Sequence, residues 1–447
     1  MASAMRIDVP KDATSYRPGL ILDAVDRVAY QALVDALVPT LLPNIPEWVC
    51  GWRPTREVNN RRLYAHEGAE WHLLQRRLDS GLANHKHALR IDIAHFFHSV
   101  PLQLLFRRVF DALDAGLRPL LPKLEGMIAA WSEIPSRKGL PQRTKASSML
   151  AQFYLRPLDG LLARRTKRAG LSACRWMDDV WLFSSDKVRL ERMRDEIGAL
   201  FLELGLEVNS SKTRLIDSQD SIALRLLRRV SGIERLLAAD AVDLARGELS
   251  KLTVESFANQ SEVPIAVWRF IASRSERLKE SVLVETLGTK LGSIPHAADT
   301  VSRCLRRTEA WRPCEEWFVS TAREGQGSYY GELQSWALMF PTSYGPDGPV
   351  AEYFARDVLA APREPLLVPA AVMRTIQWRG RDALPAIVEA GEAVESPFER
   401  RAVALGMAAC SRDATDSVKL LGSPEHECLR AVLREGRDLI RSGPDFS

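Results

Sequence analysis

The segment ACRWMDDVWLF, residues 173–183, places two adjacent acids between two apolar runs, and it constrains the fold more than any other stretch. Asp178 and Asp179 stand where a short turn more often has Gly or Asn. The residues on both sides include the aromatic and apolar side chains that are typical of strands. We therefore predict a β-hairpin with the two carboxylates at its tip.

Other patterns around this hairpin predict a complete small sheet. HALRIDI, residues 87–93, alternates apolar and polar side chains with the period of a half-buried strand. Residues 147–165 and 189–205 have the spacing of amphipathic helices, and LEVN, residues 206–209, reads as a short strand. The order strand, helix, two strands, helix, strand is that of a ferredoxin-like sheet.

This topology brings the hairpin tip beside Asp92, at the end of the neighbouring strand. Three carboxylates would then converge, which is unfavourable unless a cation neutralises them. Hard oxygen ligands suit Mg²⁺, whose other ligands are often substrate phosphates. The pattern indicates two-metal phosphoryl transfer. The plain alternative is that an Asp-Asp pair lies in solvent, as ionised Asp usually does.

The ordered motifs resemble the fingers and palm of reverse transcriptases, and together they are far more specific than any one alone. The matching palm segments are DIAHFFHSV (92–100, motif A), GLPQRTKASSML (139–150, motif B), WMDD (176–179, motif C) and LGLEVNSSKT (204–213, motif D). The fingers segments are VPKDATSYRPGLILDAVDRVAYQAL (9–33) and WVCGWRP (48–54).

The resemblance implies a metal site. Asp92, Asp178 and Asp179 would hold two Mg²⁺ ions, with Mn²⁺ as an alternative, and the carbonyl of Ile93 would be a further ligand. Lys212 would contact the phosphates or donate a proton to pyrophosphate, which makes it a catalytic candidate with the three acids.

The same resemblance implies a deoxynucleotide site. Lys11 and Arg17 would grip the triphosphate, Phe97 would exclude a ribose 2′-hydroxyl, and Gln142 would border the nucleotide and template. Without the resemblance, the charged residues and Lys212 would read as surface charges, Phe97 and its neighbour Phe96 as core aromatics, and Gln142 as a helix-entry residue.

Three positions depart from the reverse transcriptase pattern. Arg143 replaces the Gly of motif B, residues 147–148 are Ser-Ser in place of Ser-Pro, and Trp176 replaces the Tyr of motif C. Glycine permits close backbone approach, so a long cation at 143 puts ordinary templating in question. The resemblance implies that synthesis without a template, or priming from a protein hydroxyl, is open to this chain. The polar stretch 323–335 offers Ser328, Tyr329 and Tyr330 for priming; the plain alternative is that the two tyrosines pack the start of a helix.

The chain divides by pattern into two parts. Residues 1–220 are predicted to form the fingers and palm, and residues 221–447 an all-α region that replaces the thumb and ends in HEAT-like helical repeats. The fold class is thus α+β: a right-hand polymerase with a ferredoxin-like palm, followed by the all-α repeat domain. The repeats would be a binding scaffold, or would simply pack against the polymerase.

A palm followed by helical repeats is similar to the bacterial abortive-infection and defence-associated reverse transcriptases, including the unknown groups. This implies anti-phage defence by DNA synthesis, with deoxynucleotides, a DNA product and an RNA template as partners. A partner reverse transcriptase, a dedicated non-coding RNA and oligomerisation also stay open. The rival hypothesis is a vestigial palm that only binds phage nucleic acid or protein.

Composition sets outer limits. With 447 residues, 46% hydrophobic and 26% charged, the chain is typical of a globular protein of two or three domains. The sequence has neither a membrane-length apolar run nor an N-terminal signal pattern, so we expect a cytoplasmic protein without membrane contact. The six cysteines show no metal-binding spacing, and we expect reduced core residues.

Overall fold

The computed structural model describes residues 4–421 except 12–14, 56–63, 133–137, 143, 168–169, 218–221, 279–285, 289, 325–334, 363–366 and 412–414. The chain packs as two compact units, Ala24–Gly232 and Met1–Asp23 together with Ile233–Ser447. The N-terminal 23 residues therefore pack with the C-terminal half. The division into domains at residue 220 that the sequence indicates stays a prediction.

The unit of Met1–Asp23 and Ile233–Ser447 combines one hairpin with many helices. Strands β1 (Met5–Pro10) and β2 (Tyr16–Ile21) pair antiparallel. The α-helices that follow are Val242–Ala258, Ile265–Leu278, Ala298–Arg307, Glu315–Glu324, Pro349–Tyr353, Leu367–Arg379, Leu384–Ala393, Pro397–Cys410 and Thr415–Leu420. A π-helical turn, Phe354–Leu359, continues from Tyr353.

The last helices of this unit lie in the region that was predicted to form HEAT-like repeats. Leu367–Arg379 and Leu384–Ala393 both pack against Pro397–Cys410. A capping box formed by Ser396 and Glu399 begins the helix Pro397–Cys410, because each of the two side chains bonds the other's backbone N–H. Arg401 on that helix contacts the buried Asp23 carboxylate, which ties the N-terminal segment to the helices. The HEAT-like assignment stays a prediction.

A five-stranded sheet lies at the centre of the unit Ala24–Gly232. Its strands are β3 (Val49–Cys50), β4 (His87–Ile91), β5 (Ser172–Trp176), β6 (Asp179–Ser184) and β7 (Arg214–Asp217), in the order β3-β5-β6-β4-β7. β3 runs parallel to β5, and all other pairs are antiparallel. The last four strands have the predicted ferredoxin-like order, and the α+β class is confirmed.

In the described residues of this unit, eight α-helices accompany the sheet. They are α1 (Ala24–Leu41), α2 (Glu67–Asn84), α3 (Phe96–Ser99), α4 (Leu102–Ala112), α5 (Leu121–Ser132), α6 (Lys145–Tyr154), α7 (Arg156–Thr166) and α8 (Lys187–Glu203). The helix Ile222–Ala238 follows in the chain and contains the boundary at Gly232.

Helix α2 covers one face of the sheet. Leu74, Leu78 and Leu82 pack on Trp181 and Phe183 of β6, in one buried cluster. A Cβ at Gly81 would come within 2.5 Å of the Phe183 ring, so glycine is needed where the helix approaches the sheet. Because side chains alternate along a strand, the other side chains of β4 and β6 point to the face where α8 packs.

The structure corrects two details of the sequence interpretation. The single helix predicted over 147–165 is two helices, α6 and α7, separated at Leu155, because Pro157 has no N–H to continue the first. The fourth strand is β7 rather than LEVN, of which only Val208 bridges to Ile93. The chain turns after Val208, since the backbone N–H groups of Lys212 and Thr213 both bond the Asn209 carbonyl.

The five cysteines in the described residues are buried and free of disulfides, as expected for this part of the chain. In the same described residues, every helix is too short or too polar to cross a bilayer.

Candidate active site

A two-residue turn carries the first acid of motif C. Trp176 of β5 pairs with Asp179 of β6, which leaves Met177 and Asp178 as the loop of the hairpin. Met177 has a φ of 53°, in the left-handed region that side-chain-bearing residues seldom adopt. Such strain persists only where surrounding contacts hold the backbone, and it is common at functional sites.

The buried Arg175 side chain provides those contacts. It is 1% exposed and donates to the Met177 carbonyl at 2.9 Å and to Oε1 of Gln152 at 2.6 Å. Two further bonds, of 3.0 and 2.8 Å, join it to the Asp159 carboxylate. Charge-assisted bonds of this kind are strong and directional. Arg175 therefore holds the turn that presents Asp178, a role the sequence interpretation missed.

Asp92 lies at the end of β4, next to the β5–β6 turn. It is 7% exposed, and its Oδ2 accepts a 2.8 Å hydrogen bond from the side-chain amide of Asn209. The same oxygen is 3.6 Å from Nζ of Lys212. The carbonyl of Asp92 also accepts from the Asn209 backbone N–H at 2.8 Å. The turn of motif D thus fixes Asp92, and Asn209 is a second residue that the sequence interpretation missed.

The strand register brings Asp178 near Asp92, because Ile91, which precedes Asp92, pairs with Val180, two residues after Asp178. Desolvation by the surrounding protein, and then the charge of Asp92, raise the pKa of Asp178 to about 7. Asp179 raises this pKa further, whereas a hydrogen bond from the backbone of Asp178 itself and the charge of Lys212 lower it. Two carboxylates held together in this way are stabilised by a bound cation.

Asp179 faces a different partner. Its two oxygens accept from Nε and Nη2 of Arg90, at 2.8 and 3.1 Å. Burial lowers the pKa of the Arg90 guanidinium, but Asp179, Asp92 and Asp178 outweigh burial and raise it above its ordinary value. Strand alternation is the cause, because Asp179 is two residues from Trp181 and shares its face of the sheet.

The donor set fits a divalent cation at Asp92 and Asp178, with hard carboxylate oxygens from two adjacent elements. Ile93, whose carbonyl was predicted as a further ligand, is buried beside Asp92. In the described part of the chain, no group of three His, Cys, Asp or Glu side chains is close enough to hold a metal ion. Asp179 is paired with Arg90. The assignment of three acids to two ions stays a prediction.

Phe97, which is predicted to exclude a ribose 2′-hydroxyl, lies at the edge of the core. Phe96 is 3% exposed and belongs to the core, whereas Phe97 is half-buried, with its ring centroid 5.4 Å from that of Phe96. The backbone N–H of Leu140 in motif B donates to the Phe97 carbonyl at 2.7 Å. Motifs A and B are therefore joined at this residue, and the half-buried Gln142 follows two residues later.

The remaining predicted residues are spread over the chain. Lys11 and Arg17 are exposed on the β1–β2 hairpin, in the unit that contains the C-terminal helices. Arg143, Tyr329 and Tyr330 lie outside the described residues. The two serines at 147 and 148 are buried in the first turn of α6. Trp176 packs edge-on against Trp71 of α2, with ring centroids 5.6 Å apart.

Comparison with known families now bears on this geometry. Residues 9–224 match the model of the reverse transcriptase (RNA-dependent DNA polymerase) family. The chain contains a reverse transcriptase domain. All four palm motifs and the residues around Asp92 and Asp178 lie within the match, which supports a nucleic-acid polymerase, that is, a nucleotidyltransferase.

Individual relatives are distant. Protein YkfC of Escherichia coli strain K12 is 25% identical over 289 residues, which are 56% of this chain and 74% of YkfC. Two solved structures are similar at 10% identity: telomerase from Candida albicans in complex with a TWJ fragment of telomeric RNA (TM-score 0.34) and apo telomerase from Candida tropicalis (TM-score 0.35). They cover 70% and 69% of this chain, but the chain spans less than two thirds of each of them, 63% and 66%.

Proposed function

We propose that this chain is a DNA polymerase of the reverse transcriptase type, which joins deoxynucleotides by two-metal phosphoryl transfer. The observation that carries the proposal is the strand register that brings Asp92 and Asp178 together inside the reverse transcriptase domain. Burial, and then the charge of Asp92, raise the pKa of Asp178 to about 7. Two buried carboxylates that lie close together repel each other, and a bound cation relieves this repulsion.

The chain's own groups then have separate tasks. Bound Mg²⁺ would activate the attacking hydroxyl and stabilise the leaving oxygen. Asp92 and Asp178 would hold the cation, and the half-exposed Lys212, beside Asp92, would bind phosphate oxygens or donate a proton to pyrophosphate. Phe97 would contact the sugar, and Gln142 the base or template.

A primer extension assay tests this function. Purified protein is incubated with Mg²⁺ and labelled deoxynucleotides, with an RNA template, with a DNA template and without template. We expect Asp178→Asn to reduce incorporation by at least about a hundredfold, because a cation ligand supplies several kcal/mol in the transition state. Asp195→Asn, which removes an exposed carboxylate from α8, is the matched control. Equal incorporation by parent and Asp178→Asn would refute the proposal.

We further propose that the DNA made by this protein acts in anti-phage defence, either from a dedicated non-coding RNA or without a template. The combination of palm motifs with a helical C-terminal half, and the cation at position 143, support this proposal. Phage plating on bacteria that express the parent or Asp178→Asn tests it, and protection by both variants would contradict a role for synthesis. Sequencing the nucleic acid that copurifies with the protein identifies the template and any RNA partner.

The bidentate Arg90–Asp179 pair supports a second candidate, a binding protein that retains the palm as a scaffold. On this hypothesis, the parent shows no incorporation with either template, while nucleic-acid binding is equal in the parent and Asp178→Asn. Incorporation by the parent that Asp178→Asn abolishes would exclude it.

A further inference from the structure

Arg90 and Asp179 form an ion pair that is open to exchange. The two side chains are 28% and 30% exposed, so water and ions reach both of them. The contact is bidentate, which gives it a defined geometry in spite of this exposure. A partly exposed pair contributes little net stability, so another cation can displace Arg90 at modest cost.

The strand register explains why Arg90 takes this partner. On one side, Arg90 lies opposite Trp181 of β6, with its guanidinium 5.3 Å from the ring centroid. On the other side it lies opposite Arg214 of β7. Like charges on directly opposite residues are unfavourable. A carboxylate beside Arg90 relieves that repulsion, and the carboxylate that contacts the Arg90 guanidinium is that of Asp179.

The same carboxylate is also close to the candidate cation site. Asp179 directly follows Asp178 at the β5–β6 turn, and its neighbour Val180 pairs with Ile91, which precedes Asp92, so the strand register places Asp179 beside both acids. Asp179 therefore stands between two cation sites, one filled by a guanidinium and the other suited to a metal ion.

Resting on the proposed function, we propose that Arg90 is a positioning residue that competes with a divalent cation for Asp179. Asp92 and Asp178 bind one cation, and Asp179 joins a second only after it leaves Arg90. The affinity for the second ion is thereby set below that for the first. Metal loading of the site becomes complete when the phosphates of a nucleotide supply further ligands.

The inference is tested by titrating the purified full-length chain with Mn²⁺ in the absence of nucleotide. Electron paramagnetic resonance measures the bound and free ion. Arg90→Gln should lower the Kd of the weaker Mn²⁺ site about three- to tenfold, because the competing cation is gone. Asp179→Asn should abolish that site and leave the tighter one. The double variant Arg90→Gln, Asp179→Asn should show no gain.

Arg214→Gln is the matched control, because it removes the neighbouring exposed arginine from the same strand register without touching Asp179. The inference would be overturned if Arg214→Gln gained as much Mn²⁺ affinity as Arg90→Gln, or if the double variant still showed the gain. Either result would mean that the loss of any nearby positive charge raises the affinity. An unchanged Kd in Arg90→Gln would also overturn the inference. Arg90→Lys keeps the charge but not the bidentate contact, so we expect a smaller gain in Mn²⁺ affinity than in Arg90→Gln. If Arg90→Gln does not fold, Arg90→Lys is used in its place.

The metal assay separates this inference from the proposed function. Incorporation by the parent, together with Mn²⁺ binding that Arg90→Gln leaves unchanged, would refute the competition alone. If Arg90→Gln gains Mn²⁺ affinity in a way that depends on Asp179, but the parent incorporates no nucleotide, the competition between Arg90 and the cation is supported. The proposed polymerase function is then refuted.

Discussion

Gly139 lies directly against the backbone of Phe97. A Cβ at position 139 would come within 2.2 Å of the Phe97 carbonyl oxygen and 2.6 Å of the His98 carbonyl oxygen. The φ of Gly139 is +68°, in the left-handed region. Motif B is thus docked on motif A through a glycine, and the next residue, Leu140, donates to the same Phe97 carbonyl.

Gly139→Ala should therefore displace motif B from Phe97. The left-handed backbone alone costs about 1–2 kcal/mol for a residue with a Cβ, and the backbone clash adds to this. We expect a lower melting temperature by differential scanning calorimetry and weaker discrimination between deoxy- and ribonucleotides. Gly126→Ala, at an exposed position in α5 with open space around it, should be neutral or slightly stabilising. Equal melting temperatures in the two variants would contradict the docking.

If Phe97 excludes the ribose 2′-hydroxyl as proposed, Phe97→Ala should admit ribonucleotides, and because this ring is only half-buried the core should stay intact. Phe96→Ala should instead destabilise the protein by about 3–5 kcal/mol, because the Phe96 ring is buried. Incorporation of ribo- and deoxynucleotides by both variants and the parent measures the first effect, and urea unfolding measures the second. Unchanged sugar discrimination in Phe97→Ala would remove Phe97 from the site.

Asp178→Asn should raise the melting temperature in EDTA while it abolishes incorporation. The neutral amide removes both the cost of burying a charged carboxylate and the repulsion from Asp92, which in that order raise the pKa of Asp178 in the folded protein. In the parent, added Mg²⁺ should raise the melting temperature, and this gain should disappear in the variant. Asp195→Asn should behave like the parent in both conditions. A variant that melts below the parent in EDTA would show that the carboxylate is structurally favourable.

Arg175→Met should destabilise the unit Ala24–Gly232 by about 3–5 kcal/mol, because the buried Asp159 carboxylate loses its partner. The double variant Arg175→Met, Asp159→Leu should recover a large part of this loss, since no buried charge is left unpaired. Urea unfolding of the four proteins of this cycle gives the coupling energy. Additive losses in the double variant would mean that the pair contributes no coupling.

Local sequence patterns determined the ferredoxin-like order of the sheet and the position of Asp178 at a hairpin tip. Alternation in HALRIDI and the apolar runs around the two acids are properties of short segments, and a period of two fixes the face of each side chain. The helix break at Leu155 and the turn at Asn209 were missed. The signals for these features are Pro157, the second residue of the new helix, and Asn209, which lies in a polar loop. Hydrophobic periodicity takes account of neither residue.

Only the tertiary structure decided which groups meet. Arg90 and Asp179 are 89 residues apart and Asn209 and Asp92 are 117 apart, so these pairs depend on strand register and not on local pattern. Arg175 is separated from Gln152 by 23 residues, and its burial depends on helices that pack on the sheet. The acids themselves are visible in the sequence. Which partner neutralises each acid is not, because contacts between distant segments depend on the packing of the whole unit.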